Sequence, residues 1–139
     1  MATCIVVEDH PVVLDSVVEY LRVEGLDVVG SAETAAEGTR LLSALKPDVA
    51  ILDHFLPDSS GIEVARALSV ASPSTAAVLY AGEGTRALVA EAFATGVRAV
   101  VLKQSSPAVL LRAIACVLDG RRFVDPQLRR HRRGSDPTF

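Results

Sequence analysis

Two hydrophobic periods take turns along this chain about five times. Apolar runs at 4–7, 49–52 and 99–102 are continuous rather than alternating, as strands covered on both faces are. They and similar blocks predict strands near 3–7, 27–32, 49–53, 76–81 and 99–103. The segments between them carry apolar residues at helical spacing and predict helices near 11–24, 34–45, 61–71, 86–95 and 107–119. Strand and helix in strict succession predict an α/β fold of βα units on a parallel sheet.

Local signals sharpen these boundaries. Pro11 and Pro107 fall where a first helical residue tolerates a missing N–H. Ser106 suits the N-cap before Pro107, and Gly25, Gly96 and Gly120 stand just past helix ends. In the last helix Leu110, Ile114 and Val117, widened by Leu111 and Leu118, form the stripe expected to face the sheet. In the first, Val13, Val17 and Tyr20 or Leu21 are expected to do the same. Gly38 interrupts the second helix at a cost of about 1 kcal/mol relative to Ala, for no reason visible in the sequence.

At 139 residues, half of them hydrophobic, the chain suits one domain with one core. No apolar stretch approaches the roughly 20 residues of a bilayer span, and the N-terminus runs straight into a strand pattern without a secretory signal. A cytoplasmic location, away from membranes, is expected. Cys4 and Cys116 lie in apolar runs without metal-type spacing and are expected to be two buried small hydrophobes. Charge divides the chain. Residues 1–120 carry 8 Lys/Arg against 15 Asp/Glu, a net of −7, and 121–139 carry 6 Arg against 2 Asp, a net of +4. The folded domain is expected to end near 120, with 121–139 a basic linker or tail. Its arginine cluster at 129–133 reads as a solvated linker rather than a nucleic-acid contact, because no aromatics interleave.

Charged residues follow three of the strand-like runs: Glu8 and Asp9 after the first, Asp53 after the third, Lys103 after the fifth. Residues just past the carboxyl ends of neighbouring parallel strands converge on one crevice. Carboxylates crowded there repel unless a divalent cation and an ammonium offset the charge. This pattern predicts a Mg²⁺ site beside a carboxylate that can be phosphorylated. Asp53 is the expected nucleophile toward phosphorus. Asp9 is the expected second metal ligand, Glu8 holds a metal-bound water, and the backbone carbonyl of Phe55 supplies a third ligand. Lys103 offers a mobile point charge to the incoming phosphoryl oxygens. Taken singly, each of these residues is better read as structural, an acid as a helix cap; together, each after a different apolar run, they are expected to form a site.

Val6-Val-Glu-Asp-His-Pro11, Leu52-Asp53 through Pro57 to Gly61, and Val101-Leu-Lys103 resemble the receiver domain of two-component response regulators. The resemblance covers about residues 3–120. It implies a flavodoxin-like (CheY-like) doubly wound fold, five parallel strands in the order 2-1-3-4-5 with five helices, and a site at the first/third strand switch point. It implies that a sensor histidine kinase donates phosphoryl to Asp53, and that Asp53 is a phosphoacceptor rather than part of a turnover enzyme. The Glu-Asp-His-Pro opening, the Leu-Lys without a following proline and Gly120-Arg-Arg-Phe-Val-Asp-Pro126 look most like the NarL/FixJ subclass. Members of that subclass usually carry a C-terminal helix-turn-helix that binds DNA, so 121–139 resembles a linker toward such a domain. A homodimer and control of transcription are implied in turn.

Two positions depart from the receiver pattern. The Ser or Thr slot near the end of the fourth strand falls on Tyr80, and the aromatic slot three residues before the lysine falls on Val100. Placing Ala81 in the hydroxyl slot is no better, and Thr85 lies too far along the loop. Tyr80 is either itself the moving ring or a cap on the pocket, beside a Gly82-Glu-Gly84 segment free to move or simply loose. Phe55 either shields an acyl phosphate or packs. His54 should point away by strand alternation, and neither it nor His10 is assigned to catalysis. One reading is therefore a phospho-activated receiver. The alternative is an atypical, phosphate-independent dimerisation or docking module. A flavin carrier is disfavoured by Glu8 and Asp9, which would repel a phosphate, and a dehalogenase-type phosphatase by Phe55, where a second Asp is needed.

Overall fold

The computed structural model describes residues 1–128. The elements are β1 (Thr3–Val7), α1 (Pro11–Val23), β2 (Asp27–Ala32), α2 (Ala35–Leu45), β3 (Val49–Asp53), α3 (Gly61–Ala71), β4 (Ala76–Ala81), α4 (Arg86–Ala94), β5 (Val97–Leu102), α5 (Pro107–Leu118) and β6 (Phe123–Val124). A short helical stretch follows at 126–128. All strand pairs are parallel, in the order β2-β1-β3-β4-β5-β6.

This is the doubly wound arrangement expected, with one strand more. β6 adds to the β5 edge through Ala99↔Phe123 and Val100↔Val124. The expected domain end near 120 is therefore corrected. Phe123, Asp125 and Leu128 are buried, so the folded unit runs at least to 128. The segment looked like a linker because its few apolar residues are scattered, and a two-residue edge strand has no period to read. The arginine cluster at 129–133 lies outside the described residues.

Each face of the sheet carries its own core. On one side Leu14, Val17 and Leu21 of α1 and Leu110, Ala113, Ile114 and Val117 of α5 cover Val6, Ile51, Val78 and Val101. On the other, α2, α3 and α4 cover Ile5, Leu52, Leu79 and Val100. Burial on both faces is why the central strands read as continuous apolar runs. The α5 stripe is as expected, except that Leu118 is exposed. In α1, Leu14 rather than Val13 occupies the buried stripe. Cys4 is fully buried, which pushes its thiol up to about 12, whereas Cys116 is only half-buried.

Side-chain hydroxyls start most of the helices. Thr34, Ser60, Thr85 and Ser106 accept from the backbone N–H of Glu37, Glu63, Leu88 and Ala108. Gly25, Gly96 and Gly120 end helices at positive φ. Gly38 acquires its reason in three dimensions. A Cβ there would stand 2.7 Å from Val7 Cγ2, so the glycine lets α2 approach β1 closely.

Candidate functional site

Three strands end on one rim of the sheet, and each brings charge to it. Past β1, the Glu8 N–H donates to the Ala32 carbonyl of β2 at 2.9 Å, and its side chain is only 2% exposed. β3 ends on Asp53 itself, also buried. Past β5, the Lys103 N–H donates to the Ala81 carbonyl at 2.8 Å, so the chain stays tied to β4 as the lysine turns to the rim. Lys103 Nζ lies 2.7 Å from Glu8 Oε1 and 3.1 Å from Asp53 Oδ1. One ammonium bridges two buried carboxylates.

Asp9 and His10 close the cluster. His10 Nδ1 stands 3.0 Å from Glu8 Oε2 and 3.1 Å from Asp9 Oδ1. Glu8, Asp9, His10 and Asp53 each offer one ligand atom, and these atoms all lie within 4.8 Å of one another. Glu8 Oε1 and Asp9 Oδ1 are buried without a well-aligned hydrogen bond, although Lys103 Nζ and His10 Nδ1 are near enough for ion pairing. Buried anionic oxygens short of donors are costly unless a cation meets them. These two carboxylates, with Asp53 beside them, are the oxygen-rich donor set that a hard divalent cation such as Mg²⁺ takes.

Asp53 and Glu8 are driven apart electrostatically. Burial, then a hydrogen bond shared with Glu8, raises the Asp53 carboxyl to about 7, against the pull of Lys103. Burial would raise Glu8 as well, but hydrogen bonds with Lys103, Asp53 and His10 outweigh it and hold Glu8 at about 2. Burial lowers Lys103, but Glu8 and Asp53 overcome this and raise it. His10 is raised by its bond to Glu8 and by the charges of Asp9 and Glu8. Two like charges facing one ammonium thus favour an ionised Glu8 and oppose ionisation of Asp53, an opposition that a bound cation would relieve.

The loop after Asp53 is pinned at both ends. The Gly61 N–H donates to the His54 carbonyl at 3.1 Å, and a Cβ at Gly61 would collide with the Asp53 carbonyl oxygen. Asp58 accepts from the N–H groups of Ala35 and Ala36 at 2.8 and 3.0 Å, fastening the loop to the N-terminus of α2. Phe55 donates its N–H to Asp53 Oδ1 at 3.4 Å. Its ring is 73% exposed and tilts over His54 with centroids 4.4 Å apart, so it is not a core packing residue. His54 stays outside the acid cluster, with a buried Nδ1 that lacks a hydrogen-bond partner.

Tyr80 stands directly beside Asp53, paired in register with it on one side and with Val101 on the other. Its half-buried ring has Lys103 Nζ 6.0 Å from the centroid and faces α1 and α5. There it helps wall a cavity of about 410 Å³ with Val13, Val17, Tyr20, Pro107 and Leu110. Val100 points to the opposite face and is wholly buried beneath α4.

The structure thus gathers Glu8, Asp9, Asp53 and Lys103, with Tyr80 at the margin, and leaves Val100 in the core. Sequence reasoning passed over His10 and Asp58. His10 had a signal, adjacency to two acids, but only the turn after β1 aims its ring back at them. Asp58 caps a helix 22 and 23 residues earlier in the chain, for which no local pattern exists.

The sequence profile of the response regulator receiver domain matches residues 4–115. The chain is 33% identical over 125 residues to the "Probable transcriptional regulatory protein NarL" of Mycobacterium tuberculosis, covering 89% of this chain and 58% of that protein. It is 34% identical over 126 residues to the "DNA-binding transcriptional activator DevR/DosR" of the same species, covering 90% and 58%. It thus spans less than two thirds of the length of these relatives. A crystal structure of a LuxR-family two-component response regulator from Aurantimonas sp. superposes with a TM-score of 0.85 at 31% identity, covering 94% of both chains. With acids and lysine on the rim of a 2-1-3-4-5-6 sheet and a profile match over most of its length, this chain belongs to the response regulator receiver domain family, with relatives of the NarL type.

Proposed function

We propose that this receiver takes a phosphoryl group on Asp53 from a sensor histidine kinase and changes its affinity for a second copy or another partner in response. The observation that carries this reading is the Lys103 ammonium set between Glu8 and Asp53 at 2.7 and 3.1 Å. An Asp53 oxygen attacks phosphorus, the donor's P–N bond breaks and an acyl phosphate forms. Glu8, Asp9, Asp53 and the Phe55 carbonyl would hold Mg²⁺, with Glu8 acting through a water. When bound, that ion offsets the repulsion between two anions that must meet. Lys103 then exchanges a carboxylate partner for the phosphoryl oxygens, and Asp58 holds the acceptor loop in place. The domain transfers phosphoryl to itself and has no turnover substrate. By analogy with the relatives named as transcriptional regulators, the switch serves transcription in the cytoplasm, with DNA contacted through a C-terminal domain beyond this chain.

A second reading draws on Tyr80 and Val100. The hydroxyl and aromatic ring that the receiver pattern leads one to expect are replaced by a phenol facing α1 and α5 and by a wholly buried valine. A docking module independent of phosphate would need neither. Incubation with Mg²⁺ and acetyl phosphate, followed by intact mass, separates the two. One added phosphoryl group, lost in Asp53→Asn, supports the first reading; an unchanged mass in the unaltered chain rejects it.

A further inference from the structure

Among the described residues, one buried carboxylate outside the acid cluster is tied by three hydrogen bonds. Asp125 follows β6 and is 0% exposed. Its Oδ2 accepts from the Leu102 N–H at 2.9 Å and from Ser105 Oγ at 2.6 Å, and its Oδ1 accepts from the Gln127 N–H at 2.9 Å. Its own N–H donates to the Val100 carbonyl at 2.9 Å. A buried carboxylate is tolerated only when donors meet it, and here three do.

The placement of those donors matters. Leu102 and Ser105 flank Lys103, and the Ser105 N–H closes the turn on the Leu102 carbonyl at 3.1 Å. Both ends of the turn that carries Lys103 are therefore held by one carboxylate. The third donor, Gln127, lies in the helical stretch that begins at 126. Asp125 thus joins the lysine turn to the segment leaving the sheet. Around it, Arg122 stacks 4.9 Å from the Phe93 ring of α4, and Leu128 covers Gly84 of the β4–α4 loop closely enough to leave no room for a Cβ. The exit segment touches the loops after both β4 and β5.

We propose that Asp125 is a positioning residue of the phosphoacceptor site. It sets the reach of Lys103 through Leu102 and Ser105, and it passes any shift of that turn to the helix starting at 126. This rests on the phosphoacceptor reading above. A lysine that must leave a carboxylate for a phosphoryl group moves its own turn, and Ser105, Asp125 and Gln127 are the first groups in line. Because this route starts from the backbone of β5, it needs neither a hydroxyl at Tyr80 nor an aromatic ring at Val100.

The test is calorimetric titration of the whole chain with Mg²⁺ and then with beryllofluoride, for the unaltered protein, Ser105→Ala, Ser105→Thr and Asp125→Asn. Ser105→Ala and Asp125→Asn are expected to weaken beryllofluoride binding by about 10-fold while leaving Mg²⁺ affinity unchanged, and Ser105→Thr to restore it. Hydrogen exchange at the Leu102, Ser105 and Gln127 amides is expected to slow on beryllofluoride binding in the unaltered chain and not in Asp125→Asn. Equal loss of Mg²⁺ and beryllofluoride binding, or no loss of either, would reduce Asp125 to a structural role and overturn the proposal. Should Asp125→Asn fail to fold, the two Ser105 variants decide alone. If the unaltered chain binds no beryllofluoride, the phosphoacceptor reading falls and this inference falls with it.

Discussion

Tyr80 is the in-register neighbour of Asp53 across β3 and β4, so the two side chains share one face of the sheet. Where a short hydroxyl would sit, a phenol ring instead leans toward α1 and α5, and burial raises its pKa. Any oxygen added to Asp53 must accommodate that ring. The relationship links Asp53 to the α1–α5 side of the sheet rather than to α4.

Replacing Tyr80 by Ser tests what the ring does. The smaller side chain opens the site toward the cavity between α1 and α5, and water then reaches an acyl phosphate on Asp53. The acyl phosphate is expected to decay several-fold faster in Tyr80→Ser, measured by intact mass over time. The fold should lose about 1–3 kcal/mol from the lost packing, read by urea melts. An unchanged lifetime contradicts the capping role.

Removing the ammonium should unbalance the rim. Lys103→Met leaves buried Glu8 and Asp53 without their shared cation, and breaking a buried ion pair typically costs about 3–5 kcal/mol. Lys103 is partly exposed, so about 2 kcal/mol is expected at pH 8. Millimolar Mg²⁺ should recover part of the loss, because it offsets the same two charges. Melts with and without Mg²⁺ check this, and equal stability in both conditions contradicts it.

Stability of the metal-free protein should fall with rising pH. Asp53 keeps its proton to about 7 when folded, against an ordinary value of 3.8. Its contribution is fully present below the unfolded value and is lost as pH rises through about 7. Glu8 works in the opposite sense: held at about 2, it contributes above the ordinary carboxylate range and loses that contribution only as pH falls through about 2. Between pH 5 and 8 Asp53 alone should therefore cost on the order of 2 kcal/mol. Asp53→Asn, or Mg²⁺, should flatten the slope. Urea melts across this range provide the measurement.

Gly38→Ala sets helix propensity against packing. Alanine should gain about 1 kcal/mol in an unconstrained helix, but its Cβ would press on Val7 at 2.7 Å. Overpacking of this kind costs about 1–3 kcal/mol, so a net loss is expected. A second change, Val7→Ala, should make Gly38→Ala favourable. A stabilised Gly38→Ala single variant would contradict the close approach.

The chain carries its fold class in its periodicity. Continuous apolar runs at β1, β3 and β5, separated by helix-period segments with Pro11, Pro107 and three terminal glycines, leave little choice but a doubly wound parallel sheet. The acids and the lysine were equally readable, because residues at strand ends must meet once the strands lie side by side. What periodicity lacks is distance between remote segments. Gly38 is explained by Val7, Asp58 by the N-terminus of α2, and β6 with Asp125 by the exposed edge of β5 and the turn around Lys103. Those contacts arise when close packing brings together residues about 20 to 30 positions apart, and a buried polar group takes whichever donors packing supplies.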